Sequence, residues 1–352
     1  MKGYFFSIFL MIGIFAQDKK QYHFTLDPID TVIPCHEKDL ATLPLVVDAA
    51  YKHVVNVRRV IVVSNKQLIE KAKLLDENLF PFDKQSIAMA MCDSDSTKSL
   101  SYISMINNCV DWVRVLFLKL SAMISSNNLT LDTDKQLTKK AEWFDESLFP
   151  FDKYSIAMEM FNHNNEKASE YINMPNSRID WIYQQFLKLF AMFVIPDISS
   201  NVLILDADTI FFKDINFQDE FGAGLYNPGN EYNEPYFTHG AKVLKNFKKV
   251  FPEYSGISHH MLFQRSILED LISNIEQEHA MDAWRVLAKY ISPNDKSGIS
   301  EYELYFNFAF ANTDQVKIRH LKWCNITDIT MIDVRESEGF DCVSCHRYMR
   351  DT

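Results

Sequence analysis

The stretch that decides the fold is Asn201-Val-Leu-Ile-Leu-Asp-Ala-Asp-Thr-Ile-Phe-Phe212. Val202 to Leu205 is an unbroken apolar run of strand length, the pattern of a strand buried on both faces of a parallel sheet. Asp206-Ala207-Asp208 follows at its carboxyl end. In open α/β sheets, ligands bind outside the carboxyl ends of the strands. Two carboxylates one residue apart can hold a hard divalent cation there, and Mg²⁺ or Mn²⁺ then neutralises a diphosphate. The plainer alternative is an acidic turn after a buried strand, since D-x-D triplets are common.

Upstream, Ile29 to Pro34 reads as a buried strand ended by proline, Ala41 to Tyr51 as a helix, and Val57 to Ser64 as a second β-branched strand. Strand, helix and strand at this spacing form a βαβ unit, so the expected class is α/β with a mostly parallel, Rossmann-type sheet flanked by helices.

The chain has 352 residues and a formal net charge of −11, without a Lys/Arg block. That balance argues against nucleic acid or an anionic membrane surface as the main partner. Phosphate binding would then need a local device such as a metal ion. Six scattered cysteines are too few for a disulfide scaffold in a chain this long. Cys342-Val-Ser-Cys345-His346 matches the attachment signature of c-type haem literally, but nothing else in the chain supports a cytochrome. At the N-terminus, Lys2 precedes an apolar run from Tyr4 to Ala16, too short for a comfortable membrane span. Residues 1–17 read as a signal-like leader, which suggests export or membrane association; a cytoplasmic location is the alternative.

A tandem duplication occupies the region between the second strand and the D-x-D strand. Residues from Lys66 recur from Lys135 at an offset of 69 residues, and about 31 of 58 aligned positions are identical without a gap. Two copies are too few for a solenoid. The expected organisation is a single domain over residues 27–352, in which 66–134 is a duplicated helical insert, an extra copy of 135–192. Gln184 and Gln185 of copy two face Val115 and Leu116 in copy one. Copy two is therefore expected to carry the site and copy one to pack on the domain.

Two enzyme classes use D-x-D at a strand end: nucleotide-sugar glycosyltransferases, and haloacid-dehalogenase-type phosphatases, where the first Asp is a nucleophile. The phosphatase pattern asks for Thr or Val at the fifth position, near the start of its domain. Here that position is Ile210, and the motif comes late. The transferase reading is favoured.

The order of "VIPCHEKD", "VRRVIVVS", "AEWFDESLFPFDKYSIA", "WIYQQFLKLFAMFVIP", "NVLILDADTIFFKDI", "GLYNPGNEY", "YSGISHHMLFQRSILEDL", "SEYELYFNFAF", "KIRHLKW" and "VSCHRYMR" resembles an uncharacterised bacterial family of glycosyltransferase-like proteins with the GT-A fold. The resemblance runs from Asp27 to Arg350, apart from the extra repeat. It implies that Asp206 and Asp208 bind Mn²⁺ or Mg²⁺, with the late His346 as a third ligand. It implies a donor pocket from the Pro34–Asp39 loop, including His36 and Asp39, with Ser64, Gln185, Lys188 and Arg350. His260, beside His259 after a Ser-Gly turn, and Glu301 are the candidate catalytic groups. Glu301 read alone is equally a helix N-terminal residue after Ser300.

The implied reaction is transfer of a sugar from a nucleotide diphosphate to an acceptor hydroxyl on a glycan, lipid or protein. The other open reading is a non-catalytic glycan- or partner-binding protein on a degenerate transferase scaffold.

Overall fold

The computed structural model describes residues 19–40, 42–66 and 141–346. The leader at 1–17 and the insert beyond Lys66 lie outside the described residues, as does Arg350.

Strand β1 (Ile29–Pro34) is buried along its whole length. It lies between β2 (Val57–Ser64) and β4 (Asn201–Leu205), parallel to both. Covering on both faces explains why β1 and β4 read as continuous β-branched and aliphatic runs rather than alternating ones. The exception in β1 is Asp30, a fully buried carboxylate. Arg58 and Arg59 pair with it, and the Ser199 N–H donates to it at 2.9 Å. A buried charge persists where it is paired and hydrogen-bonded in this way.

The central sheet has the order β3-β2-β1-β4-β7, with β3 at Glu142–Asp145 and β7 at His260–Gln264. Only β7 is antiparallel to its neighbour. The expected α/β class with a mostly parallel sheet is therefore the observed one. From β1 the chain builds outward through β2 and β3, then returns to place β4 on the other side of β1. The strand order reverses at β1/β4, and in open α/β sheets ligands bind beyond the strand ends at such a point, here past Pro34 and Leu205.

Helix α1 (Leu43–His53), with Pro44 in its first turn, links β1 to β2. The second copy of the repeat is not wholly helical: it opens with β3, which pairs with the carboxyl half of β2. Three helices follow, α2 (Lys153–Met160), α3 (Asn165–Asn173) and α4 (Ile179–Val194). Asp152 and Ser155 form a reciprocal capping box at the start of α2. Phe149 and Phe151 of the repeated "LFPFDK" motif are buried, and Phe151 packs against Phe186 and Phe190 of α4.

Beyond β4 come β5 (Thr209–Phe211), β6 (Leu225–Tyr226), α5 (Glu234–Val243), α6 (Arg265–His279), α7 (Ala283–Lys289) and α8 (Glu301–Asn312). The chain then runs through β8 (Lys317–Ile318), β9 (Trp323–Asn325), α9 (Ile332–Ser337) and β10 (Cys342–Ser344). Strand β10 pairs antiparallel with β5 and parallel with β9. This small sheet carries the late part of the chain to the D-x-D turn. Among the described residues no helix is long and apolar enough to cross a membrane.

Candidate active site

Asp206 and Asp208 stand at the carboxyl end of β4, beside the switch point. The turn is fixed by its backbone. The Asp206 N–H donates to the His259 carbonyl at 3.0 Å, and the Cys345 N–H donates to the Asp208 carbonyl at 2.9 Å. A Thr209–Ser344 hydroxyl pair at 2.5 Å ties β5 to β10 just below.

Four elements deliver side chains to these carboxylates. From α4, Lys188 Nζ lies 2.5 Å from Asp206 Oδ1 and 2.8 Å from Glu301 Oε1. From α8, the Tyr302 hydroxyl donates to Asp206 Oδ1 at 3.1 Å, and its ring lies beneath the Lys188 ammonium, 4.6 Å away. From the turn before β7, His259 Nδ1 faces Asp206 Oδ2 at 3.3 Å. After β10, His346 Nδ1 faces Asp208 Oδ2 at 3.0 Å, and its Nε2 lies 3.3 Å from His259 Nε2. His346, expected as a third ligand, thus lies at Asp208, and its other nitrogen meets His259 rather than Asp206.

The electrostatics follow from burial and pairing. Burial opposes the charge on Lys188, but Asp206 and then Glu301 outweigh it and raise its pKa. Burial also works against the Asp206 charge, yet Lys188 and His259 hold its carboxyl well below the usual range. For Glu301, burial prevails over Lys188 and the pKa rises. Burial disfavours a charged His346, and the Asp208 contact overcomes it, raising the pKa.

Glu301 thus differs from expectation. It is fully buried, with its carboxylate on Lys188, and Ser300 caps its helix by accepting from the Glu303 N–H. This places it behind Lys188, as a counter-ion, and not at an open face as a base requires. His260 also requires correction. Its ring is buried edge-on between Phe211 and Phe217, with centroids at 5.3 and 5.7 Å, and neither nitrogen has a hydrogen-bond partner among the described residues. Burial lowers its pKa to about 3, which favours the neutral ring. The adjacent His259 is the histidine at the carboxylates. Register with β4 separates the two: His260 opens β7 opposite Leu205 and is buried, whereas His259 precedes the strand.

The proposed donor residues are placed as follows. Pro34 ends β1, and Ser64 ends β2, its hydroxyl buried without a hydrogen-bond partner among the described residues. Asp39 is buried in the short turn Glu37–Asp39 just beyond β1. His36 lies near Lys153 and Asp180, and burial and then Lys153 lower its pKa to about 4. These four line the carboxyl ends of β1 and β2. Gln185 does not face the crevice with a free amide: its Nε2 donates to the Trp181 carbonyl of its own helix at 3.2 Å. Tyr302, His259 and Trp323, whose ring meets His259 at 5.2 Å, were not singled out by sequence as partners of the motif.

Two aspartates and an imidazole are a suitable donor set for a divalent cation. Asp208 Oδ1 is buried without a hydrogen-bond partner among the described residues, so the carboxylate retains an unused acceptor. The residues therefore fit a metal ion, although no three His, Cys, Asp or Glu side chains form a ready cage among the described residues. The thiols do not compete for this role. Cys342 and Cys345 are buried, and burial lifts the Cys342 pKa to about 12. That disposes of a reactive C-x-x-C pair.

Comparison with known proteins gives three findings. Residues 135–338 match the model of DUF6492, a family of unknown function. The match begins at the first residue of copy two, so copy one lies outside it. No curated protein matches. Among solved structures, the apo form of mouse xyloside xylosyltransferase 1 is similar at 12% identity and a TM-score of 0.39, covering 92% of this chain and 98% of that one.

Proposed function

The chain belongs to the DUF6492 family, and we propose that it is a metal-dependent nucleotide-sugar glycosyltransferase that moves a sugar to an acceptor hydroxyl. One observation carries this reading. The D-x-D carboxylates stand at the switch point of a mostly parallel sheet, with a buried lysine on one and a histidine on the other. An acidic protein that binds a diphosphate needs a local source of positive charge, and the paired carboxylates Asp206 and Asp208 supply a place for a divalent cation.

In this reading Asp206, Asp208 and His346 hold Mn²⁺ or Mg²⁺. When bound, the ion supplies Lewis-acid stabilisation of the leaving diphosphate. The chain's own groups do the rest. The loop after β1, with His36 and Asp39, and Ser64 after β2 bound the nucleotide side of the crevice. Lys188 and the Tyr302 hydroxyl fix the Asp206 carboxylate through Oδ1, and His259 faces its Oδ2. Glu301 holds the Lys188 ammonium in place and acts as a positioning residue. The acceptor is a glycan, lipid or protein hydroxyl.

The test is a calorimetric titration with a panel of nucleotide sugars in the presence of Mn²⁺. Binding is expected for the native chain and lost for Asp206→Ala and Asp208→Ala. Unchanged binding by both variants would sink the proposal.

A further inference from the structure

Away from the D-x-D carboxylates, the segment after β8 gathers hydrogen-bond donors without acceptors. The Arg319 guanidinium lies over the Phe217 ring, 5.0 Å from its centroid, and Nη1 donates to the Asn216 carbonyl at 2.6 Å. Its Nε and Nη2 are buried and have no hydrogen-bond partner among the described residues. These two N–H groups form one edge of the guanidinium, the fork that grips a planar oxyanion through two parallel bonds. No carboxylate among the described residues occupies that fork. Asp341 lies near enough to act on Arg319, but its oxygens are taken by Lys213 and the Lys322 N–H. Burial therefore lowers the Arg319 pKa to about 10 despite Cys342 and Asp341.

Two neighbours add to the set. Leu225 and Tyr226 pair in parallel with Lys317 and Ile318, and the Arg319 N–H extends the pairing by donating to the Tyr226 carbonyl. Asn227 and Arg319 are the next lateral pair and share a face of this ribbon. Asn227 is 3% exposed. Its Oδ1 accepts from the Leu321 N–H at 2.8 Å, which identifies the other terminal atom as the amide nitrogen. That Nδ2 is also buried without a partner among the described residues. His260 packs edge-on against the same Phe217, and after burial Arg319 is the largest influence depressing its pKa, so the guanidinium lies close to that ring. Buried donors without partners are rare in native proteins and ask for a water or an ion. Water would leave the guanidinium charge uncompensated, whereas an anion satisfies the donors and the charge together.

We infer that Arg319 Nε and Nη2, with Asn227 Nδ2, form a seat for a small planar oxyanion of the carboxylate or bicarbonate class. Neither residue belongs to the D-x-D set, so the seat stands or falls apart from the transferase reading. The fork sets the planar shape, and the burial of all three donor atoms limits the anion to a few atoms. Phe217 closes one side. With Leu225 and Lys317 the same ring lines an open cavity of about 590 Å³, which gives a solute its approach. An anion held there clamps the chain after β8 to the chain after β6.

The test is thermal melting of the full chain in chloride-free sodium gluconate, with formate, bicarbonate or chloride replacing gluconate at constant ionic strength. Line broadening of isotope-labelled formate in NMR reads binding directly. Formate and bicarbonate are expected to raise the Tm saturably by a few degrees over gluconate, which is too large to enter, and formate should broaden. Their midpoint concentrations show which of the two the seat prefers. Arg319→Met keeps an aliphatic stem over Phe217 and is expected to lose both responses. Asn227→Asp supplies an internal carboxylate of the same shape; it is expected to melt higher than the native chain in gluconate and to stop responding to formate. The seat is ruled out if formate and bicarbonate leave the native chain unchanged, or if chloride alone acts. It is ruled out equally if Arg319→Met responds as the native chain does, or if Asn227→Asp melts lower in gluconate and still binds formate. Each variant decides without the other, so a failure of one to fold leaves the test intact.

Discussion

The Lys188 ammonium lies 2.5 Å from the Asp206 carboxylate, although one belongs to a helix and the other to the turn beyond a strand. The same ammonium is 2.8 Å from Glu301. Removing one member of a buried ion group costs more than the group ever contributed, because the charges left behind are uncompensated. Lys188→Met should destabilise the fold by about 3–5 kcal/mol. Lys188→Met combined with Glu301→Gln should recover much of that loss. Denaturant melts of the two variants decide the point, and equal losses would show that Glu301 is not the counter-ion.

Acid should unfold this protein earlier than its carboxylates alone require. Burial holds His260 at about 3, and His36 and His239 at about 4. All three are depressed relative to the unfolded chain, so the unfolded state takes up protons first and stability falls as pH drops below about 6.5. At pH 5 each costs about 2 kcal/mol. His260→Phe keeps an aromatic ring between Phe211 and Phe217 and should flatten this slope. A melting temperature followed from pH 7.5 to 5 is the measurement; an unchanged slope would count against a buried neutral His260.

The extra repeat should be dispensable for folding. Deleting 66–134 joins Asn65 to Lys135 in register with the duplication and leaves eight residues between Ser64 and Glu142. Glu142 sits opposite Ile61, so the gap is only about 11 Å, and eight residues reach over about 26 Å. The shortened chain should melt within a few degrees of the native one and keep its calorimetric nucleotide-sugar signal. Aggregation or loss of the signal would mean that copy one is part of the folded unit.

Gly256 should not tolerate a side chain. A Cβ there would meet the Tyr302 carbonyl at 2.6 Å and Phe306 Cβ at 2.7 Å. The loop that presents His259 thus lies directly on the helix that presents Tyr302 and Glu301. Gly256→Ala should cost about 1–3 kcal/mol and weaken Mn²⁺-dependent nucleotide-sugar binding by moving His259 off Asp206. A loss of stability with binding intact would separate the loop from the site.

Much of the fold was legible because its strands are covered on both faces. Ile29–Pro34 and Val57–Ser64 stand in the structure with the bounds their sequence suggests, and the D-x-D strand gains only Asn201. Strand β3 was not legible: Glu-Trp-Phe-Asp is short, half-exposed and set within a repeat that reads as helical. At the site, Asp206, Asp208 and His346 come together, while Lys188, expected at the donor phosphates, is instead the buried ion-pair partner of Asp206 and Glu301. The roles of His259 and His260 could not be separated, because which of two neighbours faces inward depends on strand register, a property of the sheet rather than of the local sequence. Glu301 went astray for a similar reason. Its partner Lys188 lies on another helix, and nothing near position 301 announces a buried cation.

The small sheet that pairs β5 with β10 has a consequence for biosynthesis. His346 and Asp208 are separated by 138 residues and meet only when β10 docks. Contacts this distant in sequence form late. A nascent chain can build the central sheet through β7 on the ribosome and still have no complete cation seat. A chain ending at residue 341 should therefore lack the contact between His346 and Asp208 and lose Mn²⁺ binding, which a calorimetric titration checks.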